Sequence, residues 1–299
     1  MKKVLKYGAY TVGGILLLVG LFALFVSFKS MPTYESVAIP ELSVEIDSAS
    51  IAHGKKIASV ACIHCHQGES GLQGRFFEDT PLGAVYTANI TQDQAYGIGA
   101  YTDGELARLL RTGVKKDGSL CLPMMVKFPH MADEDIKGII AWLRSDMPEV
   151  QAVNEPIPTF EPTFLGKALF NFAFKPTTPE PEVPMMDNPL EYGRYLVNNR
   201  YMCFVCHSAT HEINAQEPLA SEGYLKGGTP FLEPGETEAV LSLDISKTAI
   251  EKYSAEEFYT MMTRKQRPDK SILRMPMPQY SALDSVEIAS MYVYLQSID

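Results

Sequence analysis

Two five-residue stretches carry the chain's most distinctive chemistry, Cys62-Ile63-His64-Cys65-His66 and Cys203-Phe204-Val205-Cys206-His207. In each, two thiols stand about one helical turn apart and an imidazole follows at once. That spacing lets the thiols add to the two vinyl groups of a haem while the histidine faces the iron as an axial ligand. A thioredoxin-type redox pair also uses Cys-x-x-Cys, but it gives no reason for a histidine next, twice. A four-cysteine zinc site usually draws on pairs much closer in sequence than the 141 residues that separate these motifs. The expected cofactors are therefore two covalently bound haems. Cys62, Cys65, Cys203 and Cys206 would form the thioethers, with His66 and His207 on iron.

The elements that position these motifs read as a repeat. The sequence predicts a helix before each motif, with Gly54 and Gly193 at corresponding places. Further on, Tyr101-Thr102-Asp103-Gly104-Glu105-Leu106 aligns with Tyr253-Ser254-Ala255-Glu256-Glu257-Phe258 at an offset of 152. The same offset carries Ile136, Ile139, Ile140 and Leu143 onto Ile288, Met291, Tyr292 and Leu295. Their i, i+3, i+4, i+7 spacing is the apolar stripe of an amphipathic helix. The offset grows from 141 to 152, and the Gly- and Pro-rich stretch 219–238 is the expected place for the extra residues.

A sixth ligand is expected on the loop before each unit's last helix. A thioether raises the potential of low-spin iron relative to a second histidine. The alignment selects Met125 and Met277, with Met124 and Met275 as neighbouring alternatives. His53, His64, His130 and His211 read as surface or cap residues, His130 being the best substitute ligand among them. Cys121 is the odd cysteine and reads as inert.

Tyr7 to Phe28 is uncharged and long enough to cross a bilayer as a helix, and Lys2, Lys3 and Lys6 precede it. A cleaved signal peptide is the alternative, but no Ala-x-Ala site follows. A retained single-pass signal-anchor is expected, with its amino end in the cytoplasm and the rest of the chain exported. The net charge is −10. Because residues 1–30 hold four lysines and no carboxylate, the remainder carries −14. An acidic body argues against nucleic-acid binding. Between the units, residues 148–184 hold eight prolines and read as an extended tether. Its apolar island, residues 164–174, is expected to pack as a strap across the two units. A partner or membrane contact is the alternative.

The run Thr87-Ala88-Asn89-Ile90-Thr91 followed by Gly97 to Leu106, and the closing Asp133-Glu134-Asp135-Ile136 with Ala141-Trp142-Leu143-Arg144-Ser145, resemble the c-type cytochrome subunits of membrane-bound bacterial alcohol and gluconate dehydrogenases. Most of residues 50–299 carry the resemblance, the second unit more loosely, with Leu243-Asp244-Ile245-Ser246 in place of the Asn-Ile-Thr run. It implies an all-α fold of two tandem cytochrome c-like domains, His/Met-ligated haem c, and electron transfer from a partner dehydrogenase. Two features depart from the family. Its subunits usually carry three haem units, and domain 1 has Pro123-Met124-Met125-Val126 where a Met-Pro pair is common, as at Met277-Pro278. The expected layout is an anchor at 1–30, domain 1 at 42–147, a linker at 148–186 and domain 2 at 187–299. The expected role is a relay in the bacterial periplasm, held on the inner membrane, between a donor and the respiratory chain, with no catalytic residue. A di-haem peroxidase and a di-haem subunit of a terminal oxidase or other respiratory complex are the rivals.

Overall fold

A computed structural model describes residues 2–209, 217–231, 238–274 and 276–299. It is mostly helical. Helix α1 (Lys2–Phe28) is long and apolar enough to cross a membrane, with a mean hydropathy of 2.4 over its most apolar 18 residues and its side chains exposed apart from a few near its end. Two helical halves follow. The first holds α2 (Ser48–Ala61), α3 (Ile63–His66), the hairpin β1 (Phe76–Thr80) and β2 (Gly83–Tyr86), α4 (Asp103–Thr112) and α5 (Asp133–Leu143). The linker forms α6 (Phe164–Phe172). The second half holds α7 (Pro189–Tyr195), α8 (Phe204–His207), the short ladder β3 (Pro230–Phe231) and β4 (Val240–Leu241), α9 (Lys247–Ile250), α10 (Ala255–Arg264) and α11 (Ser285–Leu295). The two small antiparallel ladders are additions to the all-α expectation.

The halves repeat one another in their local chemistry. α4 and α10 both open on capping boxes, Thr102 with Glu105 and Ser254 with Glu257, so two backbone N–H groups at each helix start are satisfied reciprocally. After each helix the chain closes the same bridge, Val114 with Leu120 and Gln266 with Ile272. It then returns to the helix end through Phe128 N–H to the Leu110 carbonyl and Tyr280 N–H to the Met262 carbonyl. The α5 stripe is buried as its spacing requires: Ile136, Ile139, Ile140 and Leu143 are almost wholly removed from water. Each such side chain is worth roughly 1.5–3 kcal/mol. In α11, Ile288, Met291 and Leu295 are buried likewise, whereas Tyr292 stays half-buried and donates its hydroxyl to the Tyr253 carbonyl at 2.6 Å.

In each half the helix before the motif crosses the last helix at backbone contact. A methyl added to Gly54 would lie 1.8 Å from the Gly138 carbonyl oxygen, and one added to Gly193 would lie 1.9 Å from that of Ser290. Only glycine permits that approach.

The crossings are then joined by buried charge. Arg200 donates to both oxygens of Asp135, at 2.6 and 3.0 Å, and to Glu287 at 2.8 Å. Tyr195 of α7 donates to Asp135 of α5, and Lys56 of α2 donates to Glu287 of α11. Asp135 and Glu287 are themselves related by the offset of 152. Arg200 is brought inward by a π-helical turn, Leu196–Arg200, closed by Tyr201 N–H on the Leu196 carbonyl. Burial by itself would raise the Asp135 pKa, but His53, Arg200 and Tyr195 hold it below the ordinary carboxylate value.

Three expectations change. The first half begins before residue 42: Tyr34 N–H bonds the Gly118 carbonyl, and Arg108 reaches the Val37 carbonyl. The linker's apolar island does not strap both units but packs on the first half, and the linker meets the second half near its end, where Arg194 donates to Glu182 at 2.7 Å. Otherwise it runs along the first half, through Asn89 to the Val153 carbonyl, Thr177 to the Arg111 and Thr112 carbonyls, and Glu180 and Glu182 N–H to the Pro129 and His130 carbonyls. The reason is that loops of the first half present unpaired backbone groups along its path. Finally, six residues separate His66 from Leu72, whereas eighteen separate their equivalents His207 and Leu225. Most of the added length therefore precedes residue 225, upstream of most of the 219–238 stretch.

Candidate functional site

Each motif is a short helical turn set at the end of a longer helix. Cys62 caps α2 and opens α3, and Cys203 opens α8. The Cys62 carbonyl accepts from Cys65 and His66 N–H, and the Cys203 carbonyl from Cys206 and His207 N–H, so both motifs adopt one backbone shape. All four cysteines are free, not joined as disulfides. Burial pushes the Cys62 and Cys203 thiols up to about 12 and Cys206 to about 11, and raises Cys65 as well. A redox-active Cys-x-x-Cys pair needs the opposite shift.

Both motif histidines are held the same way. His66 Nδ1 lies 2.7 Å from the Ala88 carbonyl and His207 Nδ1 lies 2.8 Å from that of Leu243. A carbonyl only accepts, so Nδ1 carries the proton and Nε2 keeps its lone pair for a metal. Burial lowers both imidazole pKa values, which favours the same neutral form. The carbonyls are held in turn by a matched turn. The Asn89 side chain accepts from Thr91 N–H at 2.9 Å, and Asp244 accepts from Ser246 N–H at 2.7 Å. Next to these, Ile90 N–H bonds the Leu72 carbonyl and Ile245 N–H that of Leu225. The Asn-Ile-Thr run and its Asp-Ile-Ser counterpart are thus the segments that orient the histidines, a role the sequence did not disclose.

Met125 and Met277 are half-buried and pack against the same continuous apolar core as Cys62, Cys203 and Cys206. Met124 is half-buried without joining that core. Met275 and His211 lie outside the described residues. The other histidines are committed elsewhere: His53 to Asp135 at 2.7 Å, and His130 Nδ1 to the Glu180 carbonyl at 3.0 Å. Cys121 is unpaired with another cysteine, and burial raises its pKa. The two motifs approach each other across the halves. Besides its own burial, Cys206 is affected by the nearby Cys65 thiol, and Lys265 of the second half contributes to lowering the His64 pKa, after burial and Arg75. Among the described residues, no three or more His, Cys, Asp and Glu side chains gather as a metal-ion site. The donor set present, one imidazole with two thiols per motif and a thioether in the same core, suits haem and not a bare divalent ion.

Residues 51–146 match the family described as Cytochrome c. The chain is similar to the cytochrome c subunit of alcohol dehydrogenase (quinone) from Gluconobacter oxydans (strain 621H), at 30% identity over 201 residues, 62% of this chain and 41% of that protein. It is similar to the gluconate 2-dehydrogenase cytochrome c subunit of Pantoea cypripedii, at 28% over 202 residues, 62% of this chain and 44% of the relative. The fructose dehydrogenase cytochrome subunit of Gluconobacter japonicus is 30% identical over 193 residues, 60% and 38% of the two chains. The resemblance read from the motifs is therefore borne out, and the similarity is to cytochrome subunits of dehydrogenases. The chain spans about two fifths of the length of these relatives.

Proposed function

We propose that the chain is a membrane-anchored di-haem cytochrome c that relays electrons on the periplasmic side, from a dehydrogenase to the respiratory chain. In this reading the second half is a second cytochrome c domain, and α1 is a retained single-pass anchor in the bacterial inner membrane. Cys62, Cys65, His66 and Met125 hold one haem c. Cys203, Cys206, His207 and Met277 hold the other. When bound, the haems supply one-electron exchange.

The chain's own residues do the rest. The Ala88 and Leu243 carbonyls fix which imidazole nitrogen is free. The thiols fasten the cofactors, and the surrounding core keeps water from them. The observation that carries the reading is the duplication of the histidine-to-carbonyl bond, since a structural cysteine motif would have no use for it twice. The nearness of Cys65 to Cys206 supports electron passage between the two sites. The named dehydrogenase subunits support a dehydrogenase as donor.

Spectra of the reduced full-length protein, with haem counted per chain, test this. Two low-spin haems that do not react with peroxide are expected. One haem per chain, or a ferric high-spin haem with rapid oxidation by peroxide, would overturn the relay. Co-purification from membranes with a dehydrogenase identifies the donor.

A further inference from the structure

Helix α6 has one face fastened and one face bare. Thr163 caps it, accepting from Gly166 N–H at 3.1 Å and donating to the Pro81 carbonyl at 2.6 Å. Gly166 presses on the β1–β2 turn so closely that an added methyl would lie 2.5 Å from the Leu82 carbonyl oxygen. Phe170 is buried on the same side, against the small core of Val114 and Leu120. These contacts fix the roll of the helix.

At 100° per residue, the opposite side then presents Phe164, Leu165, Ala168 and Phe172, with the buried Asn171 at its edge. Phe164, Leu165 and Phe172 are 49%, 47% and 50% exposed. A one-sided apolar helix on an exported body with −14 charge needs a cover.

The position of α6 says what covers it. Phe172 packs on Phe22 and Phe25 of α1, with ring centroids 5.8 and 6.4 Å apart, and the Lys167 ammonium bonds the Ser27 carbonyl at 2.5 Å. Phe22 lies six residues before the end of α1, about 9 Å down its axis. An interfacial helix sinks ~5–10 Å into the boundary between headgroups and acyl chains. Residues 162–175 also hold two lysines and no carboxylate, against the acidic trend of the exported body. That balance suits an anionic lipid surface.

We infer that the bare face of α6 lies in the interfacial layer of the membrane beside the exit of α1, so that the first half is held at a fixed height and tilt above the lipid. This rests on α1 being a membrane anchor. The occupant is lipid and not a partner protein, because the face is continuous with the last turns of the spanning helix.

The test uses the full holoprotein in vesicles of phosphatidylethanolamine and phosphatidylglycerol carrying a photoactivatable acyl chain, with cross-links mapped by mass spectrometry. Cross-links are expected both in residues 3–28 and at Phe164, Leu165 and Phe172. A double variant, Phe164→Glu with Leu165→Glu, should lower α6 cross-linking about tenfold and leave α1 cross-linking and the haem spectrum unchanged. Cross-links in α1 with none in α6 overturn the inference and leave the anchor standing. Cross-links in neither overturn both.

Discussion

The two halves share a skeleton and differ in lining. Both cross their outer helices at a glycine, tie the motif histidine to a carbonyl and send a methionine loop back to the helix end. Around the motifs the equivalent positions diverge. Phe128 and Trp142 of the first half correspond to Tyr280 and Tyr294 of the second, and Ser59 and Gly71 to Asn198 and Tyr224. The second half therefore holds a hydroxyl cluster. Tyr224 donates to the Asn198 side chain at 2.5 Å and meets the Tyr294 hydroxyl at 2.8 Å, while Tyr280 bonds Cys203. Backbone geometry that presents a ligand has little freedom to vary. The polarity of the surrounding wall can vary, and it tunes potential.

The largest test of this likeness falls on Arg200, whose counterpart in the first half is Ala61. Arg200→Met leaves Asp135 and Glu287 buried with fewer partners and should cost about 3–5 kcal/mol in denaturant unfolding. Lys56→Met should cost clearly less, because Glu287 keeps Arg200. Equal losses would mean that the halves are joined by something other than this cluster.

Acid is a gentler probe. The Asp135 pKa is depressed in the fold, so its contribution is present above the unfolded value of about 3.9 and is lost as pH falls through the folded value. Below about pH 4, hydrogen exchange along α5 and α11 should rise before exchange within α4 and α10 does. Simultaneous loss would show that the interface is no weaker than the halves.

The smallest effect expected is Tyr280→Phe, which copies the first half's Phe128. For the proposed second haem, removing one hydrogen bond of ~1 kcal/mol near Cys203 should move the potential by at most roughly 40 mV and leave that of the first half unchanged. Potentiometric titration reads both.

The motifs, the alignment of residues 101–106 with 253–258 and the α5 stripe were legible because each is local or periodic. The placement of Met125 and Met277 in one core followed from the repeat. The charge cluster was not legible, since Lys56, Asp135, Arg200 and Glu287 meet across as many as 231 residues and the repeat relates only Asp135 to Glu287. The linker's path was misjudged for a related reason. Its prolines predict extension but not which backbone groups it will satisfy. The island 164–174 showed its apolarity plainly, yet only the close approach at Gly166 reveals which side turns outward.

The linker's attachment to the first half also sets an order of assembly. Residues 31–182 complete that half from contiguous chain, so a chain synthesised from its amino end can finish it before residue 187 emerges. Until the second half arrives, Asp135 and Lys56 stand in water with no partner from α7 or α11. They form a docking plate whose charges become buried only when the later half closes on it, and a chain that stalls between the two leaves that plate open.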